Sequence, residues 1–193
     1  MIKTLFNKLL GKPEGSAGKS RFGKRQEVDV SVHGINPALV DERAKNVVAT
    51  LQQAGFEAYI VGGAVRDLLL GLKPKDFDVA TNATPEQVKG LFRRAFIIGR
   101  RFRIVHVVYG RGREHEVIEV STFRAYMDNS AAEAVPGNER TSKSELAAMK
   151  HAVDASGRVL RDNVWGPQEE DAARRDFSVN AMYYDPERQI VVD

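Results

Sequence analysis

Apolar residues recur along this chain at two different spacings. At Val40, Ala44, Val47, Val48 and Leu51 they return every three or four positions, which marks one face of a helix. Asn36-Pro37 opens that helix, with Asn as N-cap and Pro at the first helical position, and Gly55 suits its end. Residues 57–61 (Glu-Ala-Tyr-Ile-Val) read as a strand, followed at once by Gly62-Gly63 and a short helix from Ala64 to Leu70 that Gly71 stops. A second strand is expected over 76–80, and Thr84-Pro85-Glu86 starts a helix reaching about Phe92. Further strands fall near 95–98, 103–109 and 115–121, with Gly110-Arg111-Gly112-Arg113 as a hairpin turn. Residues 125–157 are polar and weakly patterned, which predicts a mobile insert with a short helix near 143–151. A helix near 168–181 and strands near 182–185 and 189–192 close the chain. There is no internal repeat.

The order is helix, strand, helix, strand, helix, then a meander. That predicts an α+β domain, a small mixed sheet with helices packed on one side. A regular βαβ series is excluded because the later strands are joined by hairpins. Residues 36–193 are long enough to bury a core as one domain, and residues 1–35, rich in Gly, Ser, Lys and Arg over 11–35, read as a flexible basic arm.

Charge sharpens this division. Residues 1–25 carry seven Lys/Arg against one acid, although the whole chain is only +3. A second basic block runs from Lys89 to Arg113, with eight Lys/Arg and no acid. Such blocks attract polyanions, although a solvated charged face has the same composition. The chain has no cysteine, so disulfides and thiolate metal sites are excluded. No apolar run approaches the ~18 residues of a membrane span, and no signal peptide opens the chain. A cytoplasmic protein is the expectation.

Candidate chemistry begins at Asp76 and Asp78. In a strand these two carboxylates project from one face about 7 Å apart, a donor pair suited to hard divalent cations. A lone Asp-x-Asp is weak and reads first as two solvated acids. The neighbourhood strengthens it. Gly62-Gly63 sits where a strand turns into a helix, where bare N–H groups can close on a phosphate, and Arg66 follows one turn later as a forked donor. Glu119 shares a strand face with Val117 and Ser121 and could add a third carboxylate. Arg174, Arg175, Asp176 and Asn180 form a last polar cluster, with Asp176 and Asn180 on one face of the expected helix.

Four ordered segments carry a resemblance. Gly-Gly-Ala-Val-Arg-Asp-Leu-Leu-Leu-Gly (62–71), Lys-Asp-Phe-Asp-Val-Ala-Thr (75–81), Glu-Val-Ser-Thr-Phe-Arg (119–124) and Arg-Arg-Asp-Phe-Ser-Val-Asn-Ala (174–181) resemble the head domain of the bacterial poly(A) polymerase and CCA-adding enzyme family. That family belongs to the nucleotidyltransferases with a polymerase-β-like palm. The segment 97–107, from Ile97 to Val107, resembles the poly(A) polymerase form, whose basic character differs from that of CCA-adding relatives.

The resemblance implies a set of roles. Asp76 and Asp78 match the metal-binding aspartates and would hold two Mg²⁺ ions. Gly62, Gly63, Arg66, Arg174, Arg175 and Asn180 match contacts to ATP. Glu119 and Asp176 match further acids of the site, and either could be the third metal ligand. Arg100, Arg101 and Arg103 would lie beside nucleotide or RNA phosphates. The implied activity is addition of AMP from ATP to an RNA 3′ end. The alternatives are a CCA-adding activity on transfer RNA or a silent RNA-binding module. Relatives continue into neck, body and tail regions, so a chain ending at Asp193 is expected to be an isolated head.

Overall fold

The computed structural model describes residues 24–99, 102–111, 114–126, 133–135, 151–154, 159–162 and 164–193. An eight-stranded sheet organises them, in the order β1-β11-β10-β2-β3-β6-β5-β4. Its strands are β1 (Glu27–Asp29), β2 (Ala58–Val61), β3 (Asp78–Thr81), β4 (Ala95–Ile98), β5 (Ile104–Arg111), β6 (Glu114–Thr122), β10 (Tyr183–Asp185) and β11 (Ile190–Val192). Every pairing is antiparallel except β3 with β6. The mixed sheet and α+β class match the expectation. A separate three-stranded sheet, β7 (Glu133–Val135), β8 (His151–Asp154) and β9 (Val159–Asp162), lies largely within the segment read as an insert. The helix expected near 143–151 falls outside the described residues except for His151, which opens β8.

Helices α2 (Glu42–Gln53), α3 (Gly63–Leu69) and α4 (Pro85–Leu91) cover one face of the sheet. Val47, Val48 and Leu51 of α2, Val65 and Leu68 of α3 and Val88 of α4 join Ile60, Val79, Val105, Val107, Ile118 and Val120 in the main core. Alternation puts the intervening strand residues on the opposite face. There, Tyr59, Val61, Ala80, Phe123, Tyr183 and Val192 form a second, smaller core against Ala172 of α5 (Gln168–Ala173). The rings of Tyr59, Phe123 and Tyr183 meet at 5.9–6.3 Å. The helices therefore lie mainly on one side, with α5 on the other.

Several boundaries differ from the expected ones. Residues Glu27–Asp29, read as part of the arm, form β1 on β11, and α1 (Val30–His33) follows with Asp29 as its cap. A three-residue strand is too short to show a period, and long-range pairing decides it. Residues 1–23 of that arm lie outside the described residues. The helix expected from Asn36 divides in two. Asn36 caps a single 3₁₀ turn at Pro37–Leu39, and Asp41 caps α2 by accepting from the Arg43 N–H at 2.8 Å. The second strand begins at Asp78, so Asp76 and Phe77 precede it. The hairpin turn lies closer to the tip, because β5 runs to Arg111, which pairs with Glu114. Gly112 and Arg113 are outside the described residues.

The helix expected over 168–181 stops at Ala173. Asp176 accepts from the N–H of Phe177 at 2.9 Å, a local bond that competes with helical pairing, and Ser178–Asn180 form a 3₁₀ turn. Asp176 and Asn180 therefore do not share a helix face.

Candidate active site

The sheet register builds the site. Asp78, the first residue of β3, pairs with Val61 at the end of β2 and with Glu119 in β6. Glu119 pairs in turn with His106 of β5. Residues in register share a face, so Asp78, Glu119 and His106 form one cross-strand row on the face opposite the main core. His106 Nε2 lies 3.2 Å from Glu119 Oε1. Asp76 is exposed in the loop just before the row.

Asp78 feels this crowding. Although Asp78 is exposed to solvent, the protein packed around it pushes its pKa up, the negative charges of Glu119 and Asp76 push it further, and Arg175 opposes them. Like charges gathered on one face are what a divalent cation would relieve, and carboxylate oxygens are its preferred donors. Among the described residues no three acidic or histidine side chains converge into a closed cage. Mg²⁺ at phosphoryl-transfer sites is bound by one or two carboxylates together with substrate phosphates, so the donor set fits that ion.

Gly62 and Gly63 lie beside this row because Val61 pairs with Asp78. Gly62 has φ +73° and ψ −142°, a conformation open essentially to glycine alone. It lets β2 turn directly into α3, whose first N–H groups have no partner within the helix. Arg66, one turn on, is held by Asp67 at 2.7 Å and donates to Asn180 Oδ1 at 3.2 Å. Arg66 and Asn180, 114 positions apart, thus meet at the mouth of the Gly-Gly turn.

Arg175 is positioned by residues that the sequence analysis missed. Asp171 of α5 is buried and accepts from Arg175 Nη2 at 3.1 Å, from the Tyr183 hydroxyl at 2.7 Å and from the Arg124 N–H at 3.0 Å. Arg175 Nε donates to the Tyr183 oxygen at 3.3 Å, and its guanidinium sits 5.3 Å over the Tyr183 ring. Burial works against the charge of Arg175, but Tyr183 and Asp171 outweigh it and raise its pKa. Burial also raises the pKa of Tyr183, so the phenol stays protonated and donates to Asp171. The spacing Asp171 to Arg175 is a helical i,i+4 pair, the signal that could have found Asp171.

The fold thus brings together Asp76, Asp78, Glu119, Gly62, Gly63, Arg66, Arg175 and Asn180. Asp176 is exposed in its turn, and Glu119 rather than Asp176 stands beside Asp78. Arg174, the C-cap of α5, donates to the Ala125 carbonyl at 3.3 Å. Arg103 is ion-paired with Glu86 at the start of α4 and is not among the groups around Asp78. Arg100 and Arg101 lie outside the described residues.

The mixed α+β fold that carries this row is shared with solved CCA-adding enzymes. The solved CCA-adding enzyme of Bacillus stearothermophilus in complex with CTP aligns with a TM-score of 0.50 and 33% identity over 76% of this chain and 28% of its own. An apo CCA-adding enzyme structure aligns at TM-score 0.58 and 20% identity over 86% of this chain and 35% of its own, a likeness of fold. The family model described as the poly A polymerase head domain matches residues 58–193, and the chain belongs to that family. Poly(A) polymerase I of Haemophilus influenzae is 46% identical over 94% of this chain and 37% of its own length. Poly(A) polymerase I of Salmonella typhi is 48% identical over 79% of this chain and 29% of its own. The CCA-adding enzyme of Lactobacillus helveticus is 37% identical over 77% and 30%. The chain therefore spans about a third of the length of these relatives. No helix among the described residues is long and apolar enough to cross a membrane.

Proposed function

We propose that this chain is the nucleotidyl-transfer head of a poly(A) polymerase, adding AMP from ATP to an RNA 3′ end without a template. The observation that carries this reading is the register of Asp78 with Glu119, one residue from the Gly62-Gly63 turn. The greater identity to the poly(A) polymerases, 46–48% against 37% for the CCA-adding enzyme, favours ATP as the sole nucleotide.

Asp76 and Asp78 would hold two Mg²⁺ ions, with Glu119 beside them as the better placed of the two further acids. Bound there, the metal supplies activation of the attacking hydroxyl and stabilisation of the departing pyrophosphate. The chain's own residues do the positioning. The Gly62-Gly63 backbone and Arg66 would receive the β- and γ-phosphates. Arg175, held charged and in place by Asp171 and Tyr183, would face the developing negative charge as a fixed donor. Such preorganised donors act without reorganising during the reaction, which is where most of the catalysis in phosphoryl transfer arises. Asn180 restrains Arg66 through its amide oxygen.

The test is RNA primer extension with Mg²⁺, offering ATP and CTP separately. Homopolymeric tails from ATP, lost in Asp76→Ala and in Asp78→Ala, are expected. Addition that survives both substitutions would refute the site. Two C residues followed by one A on a transfer RNA end would establish the CCA-adding reading, which the Lactobacillus helveticus relative keeps in view. Salt-sensitive RNA binding without any addition would point instead to a silent RNA-binding module.

A further inference from the structure

We infer that the open face of β5 and β4 seats the 3′-terminal nucleoside of the RNA primer, with its base stacked on Phe96; this rests on the nucleotidyl-transfer reading above. Register carries the carboxylate row one strand further. Asp78 pairs with Glu119, Glu119 with His106, and His106 with Phe96. Their chain neighbours Val79, Val120, Val105 and Ala95 are buried in the main core, so all four residues of the row stand on the opposite face.

The second core covers that face over β2, β3 and β10, and none of its buried residues lies in β5 or β4. Phe96 is therefore 53% exposed, and Ile98, two positions along the same face, is 42% exposed. β4 is also the edge of the sheet. Edge strands are normally blunted by charge, so a Phe and an Ile shown to solvent beside a polar site mark a surface that a ligand covers.

Along the row the side chains run carboxylate, imidazole, aromatic ring. A nucleoside entering by its end runs 3′-hydroxyl, ribose, base. With strands ~4.8 Å apart, Phe96 is about 10 Å from Glu119. A hydroxyl at the carboxylates thus puts its ribose over His106, which Glu119 holds at 3.2 Å, and its base against Phe96.

The strand order selects the primer over the incoming nucleotide. It runs β2-β3-β6-β5-β4, so the Gly62-Gly63 turn at the end of β2 and Phe96 in β4 lie on opposite flanks of Asp78. Arg175 and Arg66 stand at the glycine flank, with Arg175 Nη1 3.8 Å from a Cβ placed on Gly62 and Arg66 Nη2 3.4 Å from one on Gly63. In an in-line displacement the attacking and leaving oxygens are on opposite sides of the phosphorus. With the β- and γ-phosphates on the β2 flank, the attacking hydroxyl and the nucleoside behind it come from β5 and β4. Every base has a π-face, so a stacking platform accepts unlike 3′ ends, as addition without a template requires.

The experiment measures binding of 5′-fluorescein-labelled oligo(A) to this chain by anisotropy in Mg²⁺, with the 3′-terminal nucleotide either intact or abasic. Phe96→Ala is expected to weaken the intact oligonucleotide about tenfold, within the range for one stacked base. Removing the 3′ base should weaken binding by the parent about as much, but binding by Phe96→Ala less than about twofold, because both changes delete one contact. Phe96→Trp should bind within about twofold of the parent, since the stacking surface is restored. The slope of log K against log salt should be the same in both variants, because no phosphate contact changes. Equal losses from the abasic 3′ end in the parent and in Phe96→Ala would overturn the proposal, as would coupling of Phe96 to an abasic 5′ end instead. Absent oligo(A) binding by the parent would overturn it too. Weaker Mg-ATP binding by Phe96→Ala in calorimetry, with oligo(A) bound normally, would give the platform to the incoming adenine and overturn it as well. Asp78→Asn tests the underlying reading separately: ATP binding whose Mg²⁺ dependence survives that substitution refutes the nucleotidyl-transfer site, whatever Phe96 does.

Discussion

Asp78→Asn is expected to stabilise the metal-free fold while removing a carboxylate proposed to hold metal. Asp78 and Glu119 are in register on neighbouring strands, which puts their carboxylates about 6 Å apart given the ~4.8 Å strand spacing. Two like charges at that distance repel by about 0.7 kcal/mol with water-like screening and by about 2.8 kcal/mol at an effective dielectric constant of about 20. Asp78 is exposed, the Glu119 side chain is 52% exposed and His106 stands against it, so the lower part of that range applies. A gain of about 1 kcal/mol, or a rise in Tm of about 2–4 °C for a chain of this size, is the expected result. The pH dependence follows from the raised pKa of Asp78, which burial causes first and Glu119 and Asp76 reinforce. A carboxyl with a folded pKa above its unfolded value, about 3.9, costs the fold nothing while protonated in both states. The cost appears as pH rises from that value through the folded pKa. The variant and the parent should therefore melt together near pH 3 and separate by pH 7. Thermal denaturation in EDTA at the two pH values is the assay. Added Mg²⁺ should raise the Tm of the parent and leave the variant unchanged. A variant that is less stable than the parent at pH 7 in EDTA, or equally displaced at pH 3, would refute the reasoning.

Gly62→Ala should cost about 1–3 kcal/mol, because alanine does not tolerate φ +73° with ψ −142°, and chemical denaturation would measure it. The space beside Gly62 is open, with Arg175 Nη1 3.8 Å from an added Cβ, so a neutral outcome would mean the backbone can relax there. Tyr183→Phe removes the donor to Asp171 and the acceptor for Arg175, so a loss of about 1–3 kcal/mol is expected together with weaker Mg-ATP binding. Loss of stability with ATP affinity unchanged would show that Arg175 does not face the nucleotide. Gly166→Ala would bring a Cβ to 2.5 Å from the Ala125 Cα, backbone against backbone, so it should destabilise by about 1–3 kcal/mol. An unchanged Tm in that variant would contradict the packing of the segment after β6 on the one before α5.

Local chemistry made much of the helical and strand skeleton legible. Thr84-Pro85 carries its own start signal, and the structure completes it as a capping box, with Thr84 and Gln87 satisfying one another's backbone. Val47, Val48 and Leu51 announce a buried face by their spacing, and all three are fully buried. The same local reasoning overran α5, which stops at Ala173 with Arg174 as its cap, while Asp176 beyond it accepts from its own neighbour Phe177. It also missed β1, whose three residues become a strand only when β11 is alongside.

The candidate site divides in the same way. Asp76, Asp78, Gly62-Gly63 and Arg66 stand close together in the chain, where residue type and spacing are enough to suggest phosphate and metal chemistry. Glu119 reaches Asp78 only through the parallel pairing of β3 with β6, and Asn180 reaches Arg66 across 114 positions. Asp171 and Tyr183 hold Arg175 beside a second core on the open face, where a carboxylate, a phenol and a guanidinium become one hydrogen-bonded group. Sequence alone determined the local turns, caps and donor types, because those depend on neighbours within a few residues. Tertiary structure decided which distant donors share a face, because strand register and burial are properties of the assembled sheet.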